Sequence, residues 1–331
     1  MAGYEHIIGE NQIKEHFRNA IKYNKISHSY IISGESGMGK KTLAKAFAMA
    51  LQCENKTGEP CMECVSCKQA LSGNHPDIIW VTHDKDTVIG IDEIREQLVS
   101  DIQIKPYKSQ YKIYIVDDAQ KMNVATQNAV LKTIEEPPEY GVVIFLTTNM
   151  DMFLQTILSR CIKLNVKPLQ KDVIKKQLMK EYKIPDYRAE IISSFSGGNM
   201  GKAIRLASSE RFNELKDEVV HLIKYIGDME VYEMVAAVKR TADYKSEIED
   251  YLDMFVLWFR DVLMYKASKD VDELLFKEEL STIAEQAGKA SYNGLESIID
   301  GIDKAKVRLR ANVNFDLTVE LMFLNIRDNL K

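Results

Sequence analysis

The stretch Gly34-Glu-Ser-Gly-Met-Gly39-Lys40-Lys41-Thr42 fits the pattern G-x-x-x-x-G-K of a phosphate-binding turn. In such a turn, successive backbone N–H groups and the positive end of the following helix cradle phosphate oxygens, and Lys40 would reach the β and γ oxygens as a point charge. The residue after that lysine should carry the hydroxyl that ligates magnesium. Lys41 stands there instead, and Thr42 lies one residue on, about 100° around the helix. Further along, Ile113-Tyr-Ile-Val-Asp117-Asp118 supplies an apolar strand ending in acid, the second half of a nucleotide site. Asp117 could hold magnesium through water. Asp118, where a carboxylate would activate the attacking water, is one methylene shorter than glutamate. Gly34, Gly37, Gly39, Lys40, Lys41, Thr42, Asp117 and Asp118 therefore form a candidate nucleotide site with two open readings. Either it binds a nucleotide without turning it over, or it is a bare glycine-rich turn and the acids cap the next helix.

Four of the five cysteines, Cys53, Cys61, Cys64 and Cys67, fall within fifteen residues, and Cys161 stands apart. Thiolates at C-x-x-C-x-x-C spacing converge on one ion when the chain turns between them. An iron–sulfur cluster, bare core thiols and zinc compete for this window. The common cluster run continues C-x-x-x-C-P, whereas Cys67 is followed by Lys-Gln-Ala-Leu and the fourth cysteine lies upstream. Glu54 to Pro60 has the composition of a turn that returns Cys53 to the knuckle. The reading is a structural zinc site with four protein ligands and no open position.

The elements that must position these groups follow from periodicity. Helices are predicted over residues 12–23, 40–51, 91–102 and 124–135, and strands over 29–33, 77–82, 112–117 and 141–147. Pro137-Pro138 stops the last of these helices. The strands Ile113–Val116 and Val142–Leu146 are continuously apolar, which suits a parallel sheet covered on both faces. The first half thus reads as a three-layer α/β domain. Beyond Asn165 the strand signal disappears, Pro168 marks a linker, and the remainder reads as amphipathic helices. Their stripes include Leu215, Val219, Leu222, Ile223, Ile226 and Leu252, Phe255, Val256, Phe259, Val262, Leu263. Trp258, Met264 and Tyr265 belong to that packing, and Lys171, Lys175 and Lys176 to a solvated helix face.

At 331 residues, 45% hydrophobic and 28% charged, the chain is long and apolar enough for two or three cores, which excludes disorder as its main state. Its net charge of -5 argues against autonomous binding to nucleic acid. The sequence has neither a basic-then-apolar leader nor an uninterrupted apolar run of about 18 residues, so a cytoplasmic chain without a membrane span is expected.

Taken together, Gly34–Thr42, the cysteine window directly after the first-domain helix, His75-Pro-Asp77, Asp117-Asp118-Ala-Gln-Lys-Met122, Gln127–Pro138 with its Glu-Glu-Pro-Pro, and Thr156-Ile-Leu-Ser-Arg-Cys161 resemble the bacterial clamp-loader AAA+ family. The resemblance covers the first 165 residues closely and the rest loosely. It implies an AAA+ α/β domain over 1–165 with a zinc knuckle at 53–67, a small helical lid over 166–208 and a helical collar over 209–331. It further implies a five-membered ring with tau/gamma and delta subunits. That ring is a component of the DNA polymerase III holoenzyme and loads the sliding clamp onto primed DNA with ATP. Thr148, in the sensor-like stretch Thr147-Thr148-Asn149, joins the nucleotide set on the same ground. The family's hydrolysing members keep Gly-Lys-Thr or Gly-Lys-Ser, an Asp-Glu pair and a sensor arginine. Lys40-Lys41, Asp117-Asp118 and Gly201 stand in those places, beside an intact Ser159-Arg160-Cys161, a combination similar to the delta-prime branch. There Arg160 would act on a neighbouring subunit's ATP, where a guanidinium stabilises charge developing in the transfer. The competing readings are a self-sufficient tau/gamma-like ATPase, and a scaffold without nucleotide in which Arg160 only pairs with a local carboxylate.

Overall fold

A computed structural model describes residues 3–83 and 87–330; Met1 and Ala2 of the N-terminal reading lie outside them. The chain divides into two compact units, Met1–Leu169 with Asn199–Lys202, and Gln170–Gly198 with Ala203–Lys331.

The first unit is built on five strands, β1 (Ser29–Ser33), β2 (Ile78–Val81), β3 (Lys112–Val116), β4 (Gly141–Thr147) and β5 (Ile162–Asn165), in the order β2-β3-β4-β1-β5. Every pairing is parallel. The period of two along each strand sorts the core into two layers. Tyr30 and Ile32 of β1, Ile113 and Ile115 of β3, and Val142, Ile144 and Leu146 of β4 face one side, against α1 (Asn11–Lys22) and α2 (Lys40–Gln52). There Phe17 and Phe47 stack with ring centroids 3.9 Å apart. Ile31, Tyr114, Val116, Val143 and Phe145 face the other side, with Leu98, Ile102, Val130 and Ile157. All of β1, β3 and β4 is buried, as expected for continuously apolar strands covered on both faces. The short edge strand β5, only partly buried, has too little apolar content to have been picked out from sequence.

The expected helix over 91–102 takes a different form. It opens as α4 (Ile91–Ile94), widens into a π-type stretch over Arg95–Ser100 and closes as a 3-10 turn over Asp101–Gln103. The apolar stripe survives the change, since Ile94, Leu98 and Ile102 are all buried. Two short helices escaped the sequence reading, α3 (Val65–Leu71) and α6 (Gln155–Leu158), because a segment under two turns carries little periodicity. The fourth expected helix is α5 (Val124–Glu135), which Asn123 caps through a bond from Thr126 N–H.

The second unit is helical: α7 (Lys171–Tyr182), α8 (Asp186–Phe195), α9 (Met200–Ala207, which begins within the first unit), α10 (Glu210–Tyr225), α11 (Val231–Thr241), α12 (Ile248–Ser268), α13 (Leu280–Lys289), α14 (Tyr292–Arg310) and α15 (Phe315–Leu330). Trp258, Phe255, Phe259, Tyr251 and Phe323 form its fully buried centre. The indole N–H of Trp258 donates to Gln286, so that residue is satisfied core rather than a ligand site. Lys171 and Lys175 are tied to Glu190, and Lys175 also to Asp186. Among the described residues, no helix is long and apolar enough to cross a membrane.

Candidate functional site

The glycine-rich turn leaves the C-terminal end of β1 and opens α2 at Gly39. Gly37 and Gly39 both adopt φ +89°, a backbone state that L side chains rarely enter, which is why the turn needs glycine there. β4 separates β1 from β3, and the ends of these neighbouring strands gather the candidate groups along one edge of the sheet. This is where ligands bind in open α/β sheets.

The turn is filled by the chain's own groups. Lys40 is buried, and its ammonium donates to the carbonyl oxygens of Gly34 at 2.6 Å and Glu35 at 2.8 Å. Burial lowers its pKa, against the pull of the Asp117 and Asp118 charges. Lys41 Nζ lies 2.6 Å from Asp117 Oδ2, so a lysine ammonium meets the carboxylate that would hold magnesium. Asp118, at φ +48°, accepts from Gln120 at 3.1 Å and pairs with Lys121 at 3.0 Å. Burial opposes its ionisation, but these bonds outweigh it and hold the carboxyl below its usual range. Thr42 is exposed, and the Thr148 N–H donates to Gln120. Asn149 turns its side chain to the N–H of Asp151.

Two residues that sequence reading gave no structural role close over the same turn. Asn199 Nδ2 donates to Ser36 O at 2.7 Å, and Gly201 N donates to Gly37 O at 3.0 Å. A Cβ at Gly201 would lie 2.4 Å from that carbonyl oxygen, so position 201 has room only for hydrogen. No sequence pattern announces such an approach.

Cys53 ends α2, Cys61 and Cys64 lie in the following loop, and Cys67 sits in α3. The four sulfurs lie within 4.8 Å of one another, with Cys61 Sγ and Cys67 Sγ 4.0 Å apart. Tetrahedral zinc with Zn–S near 2.3 Å separates its sulfurs by about 3.8 Å, so the set fits one ion. Backbone N–H groups of Cys61, Cys64 and Cys67 point at the sulfurs of Cys53, Cys61 and Cys64, at 3.3–3.4 Å. The N–H groups of Cys64 and Glu63 pull the Cys61 thiol down to about 7, while burial pushes Cys53 and Cys67 up. A dication would supply the positive charge that buried thiolates otherwise lack. Behind the cluster, Ser66 bonds His75 Nε2 at 3.0 Å, and His75 Nδ1 accepts from Asp77 N–H. Asp77 in turn accepts from the N–H groups of Tyr107, Lys108 and Ser109. The motif His75-Pro-Asp77 thus joins the cysteine module to the loop before β3.

Arg160 follows α6 and precedes β5. One terminal nitrogen donates to Thr156 O at 3.0 Å and Ser159 Oγ at 3.2 Å, and the other pairs with Glu135 Oε1 at 2.9 Å. The side chain is exposed on the surface of the unit. Burial pushes the thiol of Cys161, beside it, up to about 12.

The family described as DNA polymerase III, delta subunit, matches residues 9–170. DNA polymerase III subunit delta' of Bacillus subtilis is 28% identical over 314 residues, spanning 94% of each chain. Over these stretches the chain is similar to clamp-loader subunits. Subunit tau of Bacillus subtilis is 30% identical over 330 residues, which cover 93% of this chain and 58% of tau. Subunit tau/gamma of Haemophilus influenzae is 35% identical over 173 residues, 52% of this chain and 25% of that one. The chain thus spans less than two thirds of these tau-type relatives but nearly all of the delta' relative. Its five-stranded parallel α/β domain with a four-cysteine cluster, followed by helices, has the architecture expected from the sequence.

Proposed function

We propose that the chain is a delta-prime-like subunit of a DNA polymerase III clamp loader, which supports ATP-dependent loading of a sliding clamp onto primed DNA without hydrolysing ATP itself. The Lys41–Asp117 ion pair carries this reading. A cation held by the protein stands against the carboxylate that magnesium would need, and a second cation, Lys121, engages Asp118. Magnesium would have to displace a lysine before it could bridge the β and γ phosphates. In this reading Arg160 supplies its guanidinium to a neighbouring subunit's nucleotide, and Cys53, Cys61, Cys64 and Cys67 hold a structural zinc. The helical remainder divides into a lid over 166–208 and a collar over 209–331 that joins tau/gamma and delta partners.

The identity to tau favours a second reading, a self-sufficient ATPase. Two assays separate them. The purified chain should show negligible ATP turnover, and a mixture with tau/gamma-type and delta-type subunits of its own organism should co-purify and hydrolyse ATP. Turnover by the chain alone at the rate of such a mixture, abolished by Lys40→Ala, would overturn the proposal.

A further inference from the structure

We infer that Glu135 is a latch on Arg160, holding the guanidinium in the free chain and giving it up when a neighbour's nucleotide is engaged; this rests on reading Arg160 as acting in trans. Both terminal nitrogens of Arg160 are engaged within the chain, one by Thr156 O and Ser159 Oγ and the other by the Glu135 carboxylate. Glu135 is the last residue of α5, at the end of the helix where the backbone dipole is negative and an acid is disfavoured. Helix stability therefore does not account for a carboxylate at this position, whereas holding a cation does.

The latch is built to open. Both side chains are about two-fifths exposed, 40% for Arg160 and 43% for Glu135, and ion pairs this open to solvent are weak and screened by salt. A γ-phosphate offers more charge and several acceptor oxygens in the geometry a guanidinium prefers, so it wins the competition. Until then Glu135 keeps the long side chain in one place, and breaking the pair subtracts from the grip of Arg160 on the phosphate.

The test uses the complex reconstituted with tau/gamma-type and delta-type partners, comparing wild type, Glu135→Gln, Arg160→Ala and the double variant. Removing the charge while keeping the shape should lower the ATP concentration for half-maximal turnover about two- to fivefold at low salt, an advantage that shrinks as salt screens the wild-type pair. In the Arg160→Ala background the same change should have no effect, since its route is through the arginine. If Arg160→Ala slows the complex but Glu135→Gln matches wild type or is slower, Glu135 is not a latch. If Arg160→Ala is itself without effect, the trans reading fails and the latch falls with it.

Discussion

The ammonium of Lys41 and the carboxylate of Asp117 meet at 2.6 Å across the glycine-rich turn, between the first residues of α2 and the end of β3. Lys41→Thr would restore a hydroxyl and release Asp117. The expected outcome is tighter magnesium-dependent binding of a fluorescent ATP analogue, with turnover of the isolated chain still negligible because Asp118 remains engaged by Lys121. Hydrolysis by this single variant at the rate of an assembled complex would show that the ion pair was the only obstacle.

Zinc should be present at about one equivalent per chain when the protein is purified without chelator, and Cys67→Ala should lose it. The buried hydrophobic cluster around Cys53 and Cys67 adds only Met49 and Ala70 to these two thiols, with Met62, Leu71 and Ile78 partly buried against it, a small apolar surface for a loop of this length. Chelation should therefore expose residues 53–67 to protease while the sheet stays folded. Less than about half an equivalent of zinc, or an iron chromophore, would refute the assignment.

Arg160→Ala should leave the chain folded and able to join its partners, yet slow the complex. A trans arginine contributes about 10³-fold or more at its own site, but only one site of the ring loses it, so bulk hydrolysis falls modestly and clamp loading further. Arg160→Lys should not rescue loading, because a point charge lacks the planar fork. Clamp loading at the wild-type rate by the alanine complex would make the arginine structural.

Asp77 predicts a pH dependence of stability. Burial opposes its ionisation, but three backbone N–H donors outweigh it and set the folded pKa below the ordinary 3.8. Its contribution is therefore fully present above about pH 4 and is lost as pH falls through the lower, folded value. Asp77→Asn should cost about 1–3 kcal/mol at neutral pH and flatten the loss of stability in acid, as read by urea unfolding at pH 6 and pH 3. An unchanged acid profile would exclude this group as its source.

Asp261 is fully buried in α12 and accepts the N–H groups of Leu275 and Phe276 at 2.6 and 2.9 Å. Asp261→Ala leaves two buried donors unpaired and should cost about 2–6 kcal/mol in denaturant unfolding. Asp261→Asn, which keeps an acceptor oxygen, should cost less. Equal losses for the two variants would mean that packing, not these bonds, is at stake.

The sheet was legible because Ile113–Val116 of β3 and Val142–Leu146 of β4 are apolar without a break, and the cysteine site because ligand spacing is a local property. β5 and the widened turn of Arg95–Ser100 were not, since neither has a periodicity of its own. At the candidate nucleotide site the sequence named the departures, Lys41 and Asp118, but not their partners. Glu135 stood inside a quoted motif with nothing to tie it to Arg160, because the two meet only after the chain has passed through β4 and α6. Asp77, named only as part of a motif, and Asp261, not named at all, had no role legible in the sequence for the same reason: each is explained by backbone N–H groups at least fourteen residues away.

The contact between Gly201 and Gly37 bears on how such a chain can change over time. The substitutions that distinguish positions 41 and 118 from an active site are side-chain exchanges, each reversible by one mutation. Position 201 is different, because any Cβ there would collide with a main-chain oxygen at 2.4 Å. A side chain can be placed there only after the backbone of the loop or of the helix start has moved, and mutation at 201 alone does not supply that movement. Position 201 thus tolerates change only together with its surroundings, so a substitution there is expected to disturb the glycine-rich turn although it touches no ligand.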